Sequence, residues 1–382
     1  MRLLLLNHNY RYYGTFGRVM DIARELARRG HKVTVMTVSR ESRWTPHWSI
    51  SDGVYVAEMP NWGQNYSGEG YGPLDNLLRC IHTLVHKYDI IHMFDHKPNA
   101  SFAGFVGRLR GAILIADWDD WWGGPGGIND VPKRRVPAVG KFEEWWEIRS
   151  KLWADGVVVI SSALHQRAIS AGCPPERVLL LPNGCSPYIR VIPVKEARRY
   201  LDIPLEWRIV GFLGMGQGDM EIVMPAIKQL REVRFMIMGP KNERVLHQAE
   251  FLGITDRLWQ TGFVPEEELN WYLACADVFC IPMSDRAANW GRFPDKLRYY
   301  LPAGRPIVAS PIGEMKRLVE TYRVGLLAAD DQFADTLYTL LTDDALREEL
   351  GQNARRAAET AFNWERLVDQ LEAFYRQILE KR

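Results

Sequence analysis

The sequence predicts an α/β protein with two domains, each built on a parallel sheet that helices cover on both faces. Three observations lead to this prediction. The 382 residues are too many for one ordinary core and favour two domains of ~150–200 residues. Short, continuous apolar runs alternate with helical patterns, which is typical of buried parallel strands. This alternation restarts after a proline-punctuated segment at residues 182–204, the predicted interdomain linker.

The first domain is predicted to begin with a β-α-β unit. Residues 2–7 and 32–38 are apolar runs that predict strands, and apolar residues between them have the three- and four-residue spacing of a helix. Gly30 supplies the stop signal of that helix. Further buried strands are predicted at residues 89–94, 112–117, 156–161 and 178–182.

The second domain is predicted to repeat this pattern. Its strands are expected at residues 208–214, 234–239 and 258–264, followed by a helix in "PEEELNWYLACA" and strands in "DVFCIP" and "PIVAS". The C-terminal residues are expected to be helical, with a break near 362–364. In such proteins ligands bind at the carboxyl ends of the strands, which places the expected site in a cleft between the domains.

Composition and charge exclude several classes of protein. Apolar residues make up 47% of the chain and charged residues 25%, as in a globular protein. The net charge of +1 argues against a nucleic-acid binder. Residues 1–190 contain 23 Lys or Arg against 18 Asp or Glu, a net of +5, and the rest of the chain has a net of −4. The basic first half is compatible with an anionic ligand, a membrane surface or uneven surface decoration.

The cysteines and the apolar runs indicate where the protein is expected to work. Five scattered cysteines form no C-x-x-C pair, so neither a disulfide framework nor a zinc site is expected, and we predict a reducing cytoplasm. No apolar stretch approaches the ~18 residues of a spanning helix. A peripheral membrane contact is a further expectation, based on the basic and aromatic segment 133–153, although Trp145 and Trp146 there also fit a packed helix.

Two motifs in the first half are candidates for ligand contact. Gly14 and Arg18 lie at a strand-to-helix junction, where free backbone N–H groups attract anionic groups. The loop lacks G-x-G-x-x-G, so a tight turn and a binding loop both remain open. His96 follows a buried strand and precedes Lys97 and Pro98, a turn sequence that would hold its ring at the edge of the sheet.

A cluster of carboxylates and tryptophans follows the strand at residues 112–117. Asp117, Asp119 and Asp120 stand among three tryptophans without a histidine at ligand spacing, so no metal site is expected. Carboxylates accept hydrogen bonds from hydroxyl groups, and aromatic rings cover the C–H faces of sugars. The cluster therefore favours a polyhydroxylated ligand.

The segment "NWGRFPDKLRYYLPAGRPIVAS" places two cations around a predicted helix start. Pro294 fits the first turn of a helix that would run to about Leu301. Arg292 and Lys296 would add two charges to the exposed N–H groups and dipole of that helix. This arrangement predicts a diphosphate site, the alternative being two solvated surface cations.

Several segments, in their order and spacing, resemble the retaining glycosyltransferases of the GT-B fold, specifically the large family four. They are "GTFGRVMDIARELARRGHKVTVMT", "ADGVVVISSALHQRAISAGCPPERVLLLPNG", "LWQTGFVPEEELNWYLACADVFCIP", "AGRPIVASPIGEM" and "FNWERL". The resemblance implies two Rossmann-like domains facing across a cleft. Residues 1–187 with helix 362–382, which crosses back, would bind the acceptor, and residues 188–361 the nucleotide-sugar donor.

The resemblance also implies roles for individual residues. His96 matches the histidine that lies against the donor sugar in the family and is the leading catalytic candidate, together with Arg292 and Lys296. The implied donor-binding residues are Gly14, Arg18, Gly214, Gly239, Val264, Asp285 and Tyr299. No metal and no cofactor are implied, and the co-substrate would be a UDP- or GDP-sugar.

The sequence departs from the family at several positions. The first of two usual glutamates corresponds to Gly291 if no gap is allowed, and Asp285 could replace it. Met215 and Gln217 stand where an Arg and a Lys usually contact the diphosphate, and Tyr299 replaces the glutamate that usually contacts the ribose. We therefore expect Arg292 and Lys296 to supply the missing charge. The expected activity is metal-independent, retaining sugar transfer to a hydroxyl of a saccharide, glycolipid or small molecule. The alternatives are a non-catalytic sugar or nucleotide binder and a nucleotide-sugar epimerase.

Overall fold

The computed structural model describes residues 1–64, 70–130, 137–215 and 220–381, with the backbone alone at residues 137–139. The chain divides into two compact units. The first unit comprises Met1–Pro182, Arg286–Arg292 and Trp364–Arg382, and the second comprises Asn183–Asp285 and Phe293–Asn363. The short segment 286–292 therefore belongs to the first unit, although its neighbours in sequence belong to the second.

Strands and helices alternate along both units. The strands are β1 Arg2–Tyr10, β2 Lys32–Val38, β3 His47–Ser51, β4 Val54–Met59, β5 Ile90–Phe94, β6 Ile113–Trp118, β7 Gly156–Val159, β8 Val178–Leu180, β9 Arg208–Leu213, β10 Val233–Met238, β11 Leu258–Gly262, β12 Val278–Ile281, β13 Ile307–Ala309 and β14 Gly325–Leu327. The α-helices are α1 Phe16–Arg28, α2 Pro73–Val85, α3 Pro98–Leu109, α4 Pro137–Leu152, α5 Ser162–Ser170, α6 Val194–Tyr200, α7 Met220–Gln229, α8 Glu243–Leu252, α9 Glu266–Cys275, α10 Ala287–Trp290, α11 Leu297–Tyr300, α12 Gly313–Tyr322, α13 Phe333–Thr342, α14 Asp344–Thr360 and α15 Trp364–Glu380.

Each unit contains one sheet. The first sheet has the order β3-β4-β2-β1-β5-β6-β7-β8, and neighbouring strands are parallel except for β3 and β4. The second sheet has the order β11-β10-β9-β12-β13-β14 and is parallel throughout the described residues. The prediction of two parallel α/β sheets is thus confirmed.

The core of the first unit explains why the C-terminal helix belongs to it. Val19, Ile22 and Leu26 form the buried side of α1. The apolar side of α15, which includes Leu371 and Phe374, packs in the same core. The apolar sides of α1 and α15 therefore lie in one core although the two helices are far apart in the chain. Arg29 and Asp369, for example, are in contact across a separation of 340 residues.

None of the helices in the described ranges is both long and apolar enough to cross a membrane. The carboxyl ends of β1 and β5 lead to Gly14 and His96 of the first unit. Those of β9, β10 and β11 lead to Gly214, Gly239 and Val264 of the second unit, and β12 precedes the segment that carries Asp285, Arg292, Lys296 and Tyr299.

Candidate functional site

The predicted site residues fall into two groups, one in each compact unit. The first unit contains Gly14, Arg18, His96 and Arg292, and the second contains Gly214, Gly239, Val264, Asp285, Lys296 and Tyr299. Arg292 and Lys296, which the sequence places side by side, therefore belong to different units.

Three adjacent strands of the second sheet end in glycines. Gly214 and Gly239 follow β9 and β10 with φ angles of 132° and 150°, which residues with side chains rarely adopt. A Cβ atom at Gly239 would lie only 2.5 Å from the carbonyl oxygen of Gly214. The N–H of Gly239 donates to the carbonyl of Gly262, the last residue of β11, at 3.1 Å. Gly214, Gly239 and Gly262 thus form a surface of backbone without side chains, which we call the glycine edge.

The ammonium of Lys296 lies beside the glycine edge. Its Nζ atom is 4.6 Å from the ring centroid of Phe212 in β9, the distance of a cation–π contact. The same Nζ atom would be 3.7 Å from a Cβ atom placed on Gly214. A positive charge next to bare backbone is an arrangement that suits an anion. The structure therefore brings Gly214, Gly239 and Lys296 together.

The helix predicted to present Lys296 is much shorter than expected, and this prediction was wrong. Instead of starting at Pro294, the helix is the four-residue α11. The N–H groups of Leu297 and Arg298 donate to the carbonyls of Pro294 and Asp295 at 3.0 and 3.1 Å, in the i to i+3 pattern of a tight turn. Because these N–H groups already have acceptors, the charge of Lys296 is what this segment offers a ligand.

The other predicted residues of the second unit are placed in loops or short helices. Val264 is half-buried after β11, Asp285 is exposed after β12, and Tyr299 is half-buried in α11. Met215, which replaces a cation of the family pattern, is exposed directly after Gly214. Gln217, the second such replacement, lies outside the described residues.

His96 is fully buried at the end of β5, between two carboxylates. Its backbone N–H donates to Oδ1 of Asp95 at 2.6 Å, and its Nδ1 lies 2.5 Å from the same oxygen. Its Nε2 lies 3.5 Å from Oε1 of Glu143 in α4. Burial lowers the pKa of His96, and the charge of Asp95 acts in the opposite direction. The environment therefore fixes the orientation of the imidazole.

Lys97 and Glu143 complete this network, and the sequence prediction did not include them. The turn expected at Lys97 and Pro98 is in fact the start of α3, with Pro98 in the first turn. The Nζ atom of Lys97 pairs with Glu143 and lies 3.6 Å from the ring centroid of Trp122. Lys97 could have been found as the sequence neighbour of His96, whereas nothing in the sequence pairs Glu143 with either residue.

Arg18 is a buried member of α1 whose guanidinium is held on several sides. Its Nη2 lies 3.0 Å from Oδ2 of Asp117, and Nη2 and Nη1 donate to the carbonyls of Leu181 and Pro182 at 3.0 and 3.1 Å. Burial opposes ionisation of Asp117, but the charge and hydrogen bonds of Arg18 together with those of His92 outweigh it and lower the pKa of this carboxyl. These contacts tie α1 to the ends of β6 and β8.

Gly14 is required by the turn that precedes α1. Its φ angle is 51°, and a Cβ atom there would lie 2.6 Å from Oδ1 of Asn9. That oxygen accepts the N–H of Thr15 at 2.9 Å. Any side chain at Gly14 would therefore disturb the loop that leads into α1.

Arg292 pairs with a carboxylate of its own unit. Its Nε lies 3.4 Å from Oδ1 of Asp120, and the nearby rings of Trp121 and Trp290 are 6.4 Å apart in an edge-to-face contact. Burial raises the pKa of Asp120 to about 6, while Arg292 acts in the opposite direction. We call these four residues the tryptophan patch, and Trp290 and Arg292 are its exposed members.

The remaining carboxylate of the "DWDD" motif has a different partner. Asp119 accepts a hydrogen bond from the hydroxyl of Thr15. Burial and the neighbouring carboxylates raise its pKa well above the usual range. In the parts of the chain that the structure describes, no group of three or more His, Cys, Asp or Glu residues is placed to hold a metal ion.

Two protein families match this chain. The family described as Glycosyl transferase 4-like domain matches residues 14–184, and the family described as Glycosyl transferases group 1 matches residues 208–343. The D-inositol 3-phosphate glycosyltransferase of Xylanimonas cellulosilytica is 24% identical over 95% of this chain and 91% of that protein.

Solved structures share the whole fold. A sucrose-phosphate synthase from Thermosynechococcus elongatus superposes with a TM-score of 0.81 at 19% identity and covers 100% of both chains. Anabaena HepE, solved in complex with UDP-glucose, has a TM-score of 0.72 at 18% identity and covers 100% of this chain and 99% of its own.

Proposed function

Since this chain belongs to the GT-B glycosyltransferases, we propose that it transfers a hexose from a nucleotide-sugar donor to a hydroxyl acceptor with retention of anomeric configuration and without a metal. The family supports a glycosyltransferase that uses a nucleotide sugar. The hexose, the stereochemical outcome and the independence from a metal are our proposals. We assign the donor to the second unit and the acceptor to the first.

The glycine edge with the ammonium of Lys296 is the observation that carries this proposal. A diphosphate needs close approach to the backbone and a compensating positive charge, and strand ends without side chains beside an ammonium offer both. The distance of 4.6 Å between Nζ and the Phe212 ring places this charge at the end of β9. HepE, which shares the fold, binds UDP-glucose, and this supports a UDP-sugar as the donor here.

The leaving group sets the main electrostatic task of the reaction. Cleavage of the bond between the anomeric carbon and the phosphate oxygen leaves negative charge on the diphosphate and an oxocarbenium-like sugar. Positive groups that are already in place stabilise this charge without reorganisation. We assign this role to Lys296, and we propose Arg292 as a further cation for the leaving group.

We propose that the anomeric configuration is retained because the acceptor attacks the anomeric carbon on the same face from which the leaving group departs. The acceptor oxygen bonds to the anomeric carbon, and a phosphate oxygen of the donor takes its proton. We propose that His96 lies against the donor sugar, with Asp95 and Glu143 as the positioning residues that fix its ring. Arg18 and Gly14 are proposed to support the first loop.

The rest of the donor is assigned to loops of the second unit. We propose that the backbone at Gly214, Gly239 and Val264 faces the nucleotide. Asp285 and Tyr299 are proposed to contact the ribose, where Tyr299 offers a hydroxyl in place of the usual carboxylate.

The tryptophan patch supports a polyhydroxylated acceptor. Aromatic rings cover sugar C–H faces, and a carboxylate beside them accepts hydroxyl hydrogen bonds. The half-buried Asp120 and the rings of Trp121 and Trp290 offer both groups on the first unit. The inositol phosphate glycosyltransferase among the relatives is named for an acceptor that is also a polyol, which agrees with this assignment.

Ligand screening followed by product analysis tests the function. We expect one UDP- or GDP-sugar to raise the melting temperature, because a ligand at one hundred times its Kd stabilises a protein by about 2.7 kcal/mol. With the best donor and a panel of polyol acceptors, NMR should show a product with the anomeric configuration of the donor.

Other results of that screen would contradict the proposal. Conversion of the donor alone into a second nucleotide sugar would identify an epimerase. Donor binding without turnover across the panel would identify a binding protein, which the exposed Met215 in place of a cation would favour. Inversion of the anomeric centre would overturn the proposed mechanism.

The acceptor KM is expected to fall as the pH rises through about 6. The pKa of Asp120 is raised to about 6, so this carboxyl is neutral below that pH and ionised above it. The ionised form accepts stronger hydrogen bonds from hydroxyl groups, which would lower KM by about tenfold. Asp120→Asn should remove this pH dependence, and the exposed control Asp331→Asn should keep it. An unchanged profile in Asp120→Asn would contradict the acceptor role of Asp120.

A further inference from the structure

Helix α4 turns a row of charged residues towards the interior of the first unit. Glu143, Glu147 and Lys151 follow one another at four-residue spacing, which places them on one side of the helix, and all three are buried. Of the two tryptophans that the sequence placed in this helix, Trp146 is buried and Trp145 is exposed. The basic residues 133–135, on which the expected membrane contact partly rested, lie outside the described residues. The inward charges of α4 therefore depend on partners inside the unit.

Lys151 is the cation of this row, and its ammonium has no hydrogen-bond acceptor among the residues that the structure describes. Its Nζ atom lies 3.9 Å from Oδ1 of Asp95 and 5.7 Å from the ring centroid of Trp118. Burial lowers the pKa of Lys151, and the charge of Asp95 acts in the opposite direction. A charge held away from water is costly unless a partner compensates it, so Lys151 depends on the carboxylates near it.

Asp95 is the carboxylate that the other groups leave to Lys151. Four carboxyl groups act on the charge of this lysine, those of Asp95, Glu147, Asp119 and Asp117. Glu147 already accepts an indole N–H and a backbone N–H at 3.0 and 2.7 Å. Asp117 lies 3.0 Å from the guanidinium of Arg18. Burial raises the pKa of Asp119 well above its usual range, which disfavours its ionisation.

Asp95 connects this ammonium to the imidazole of His96. Its φ angle of 70° is a left-handed conformation that few residues with side chains adopt. The same Oδ1 atom accepts the backbone N–H of His96 and lies 2.5 Å from its Nδ1, while Nε2 of His8 lies 4.0 Å from Oδ2. Burial opposes ionisation of Asp95, but His96, His8 and Lys151 hold its pKa well below the usual range. Because a carboxylate only accepts hydrogen bonds, Nδ1 of His96 is the donor.

The second ring nitrogen of His96 has no such contact. Its Nε2 has no hydrogen-bond partner among the described residues, although Oε1 of Glu143 lies 3.5 Å away. The carboxylate of Glu143 already accepts hydrogen bonds from three side chains, those of Lys97, Tyr71 and Asn129. Burial and the charges of Lys97 and Lys151 lower the pKa of His96 against the effect of Asp95. The surroundings thus favour a neutral imidazole with its proton on Nδ1.

We propose that Lys151 is a positioning residue that acts through Asp95 and keeps Nε2 of His96 without a proton. The ammonium balances the ionised Asp95, so the imidazole can remain neutral. Without the ammonium, the pair of Asp95 and His96 takes up a second proton. One proton is held in the short bond between Oδ1 and Nδ1, and the other is then expected on Nε2. The use of Nε2 rests on the proposed function, in which it accepts a hydrogen bond from a hydroxyl of the donor sugar.

NMR of the full chain with ¹⁵N-labelled histidines tests this role without a substrate. The signals of His96 are identified by their loss in His96→Gln. The wild type should have a proton on Nδ1 alone near neutral pH, and Lys151→Met should have a proton on Nε2. Lys141→Met removes an exposed lysine of the same helix and should keep the wild-type signals. A protonated Nε2 in the wild type, or an unprotonated Nε2 in Lys151→Met, would overturn the proposal.

Kinetics with the donor separate this role from a purely structural one. Lys151→Met should lower kcat/KM by about 10- to 100-fold, because the imidazole no longer accepts the sugar hydroxyl. Its affinity for the nucleoside diphosphate of the donor, which lacks the sugar, should remain within about twofold of the wild type.

A second variant shows whether Lys151 acts through Asp95. Asp95→Asn keeps the shape of the side chain but removes the charge that Lys151 balances, so adding Lys151→Met to it should change kcat/KM by less than about threefold. An equal loss from Lys151→Met in both backgrounds would overturn the proposal. The expected NMR signals without any sugar transfer by the wild type would support the role of Lys151 at His96 and contradict the proposed function alone.

Discussion

Replacing Lys296 by methionine is expected to lower the affinity for the nucleotide-sugar donor and kcat/KM by about 10- to 150-fold. This range corresponds to the loss of one charge-assisted contact, about 1.5–3 kcal/mol. Methionine keeps most of the aliphatic stem, so packing on Phe212 is preserved and the ammonium alone is removed. Because the N–H groups of Leu297 and Arg298 already have acceptors, no helix terminus compensates for the missing charge.

Calorimetric titration of the donor and steady-state kinetics measure this effect. Lys296→Arg should retain most of the affinity, since the charge remains. Lys228→Met is a matched control, because Lys228 is an exposed lysine of the same unit in α7. If Lys296→Met bound the donor as tightly as Lys228→Met, the diphosphate would not lie at the glycine edge.

Arg292 provides a second comparison for the same site. Its pairing with Asp120 means that binding a diphosphate would require it to leave a carboxylate of its own unit. We therefore expect Lys296 to contribute more than Arg292 to binding of the diphosphate. A greater loss for Arg292→Met than for Lys296→Met would reverse this assignment.

Most strands of both sheets could be predicted because their local and tertiary signals agree, although β14 was missed. Leu3, Leu4, Leu5 and Leu6 are all fully buried, as expected for a central parallel strand. The hairpin of β3 and β4 was missed, although Asp52 and Gly53 both have positive φ angles and the Asp-Gly pair is a known signal for such a turn. The residues of β3 are mostly exposed, so this strand lacks the apolar run by which the other strands were predicted.

The candidate site could be predicted only in part, because its partners are distant in sequence. The sequence alone identifies a cation at Lys296, but only the fold brings the ring of Phe212 beside its ammonium. Gly262 likewise becomes a neighbour of Gly239 only through the order of the strands. Arg292 and Asp120 are separated by 172 positions. The sequence suggested that Arg292 acts together with Lys296, whereas in the folded chain Arg292 pairs with Asp120.

Arg18 has structural contacts that its sequence motif did not indicate. Its place after the first glycine loop suggested a ligand contact, but the structure buries its guanidinium against Asp117 and two carbonyl groups. A charge in such surroundings is stabilised by its partners, and removing one partner leaves the other unpaired away from water. The first consequence of losing Arg18 is therefore expected in stability.

Arg18→Ala is expected to lower the free energy of unfolding by about 3–5 kcal/mol near neutral pH, because it leaves Asp117 buried without its main partner. Arg28→Ala, on the same helix, removes surface contacts to Glu25 and Glu365 and should leave the free energy of unfolding close to that of the wild type. The pKa of Asp117 is lowered in the folded protein, so the stabilisation is present above the unfolded pKa of about 3.9 and is lost as the pH falls through the folded value. In Arg18→Ala that carboxyl should take up a proton more readily, and the difference from the wild type should shrink as the pH falls towards the unfolded pKa of about 3.9. Urea denaturation at several pH values measures both effects. A stable Arg18→Ala variant with weakened donor binding would show instead that Arg18 contacts the donor.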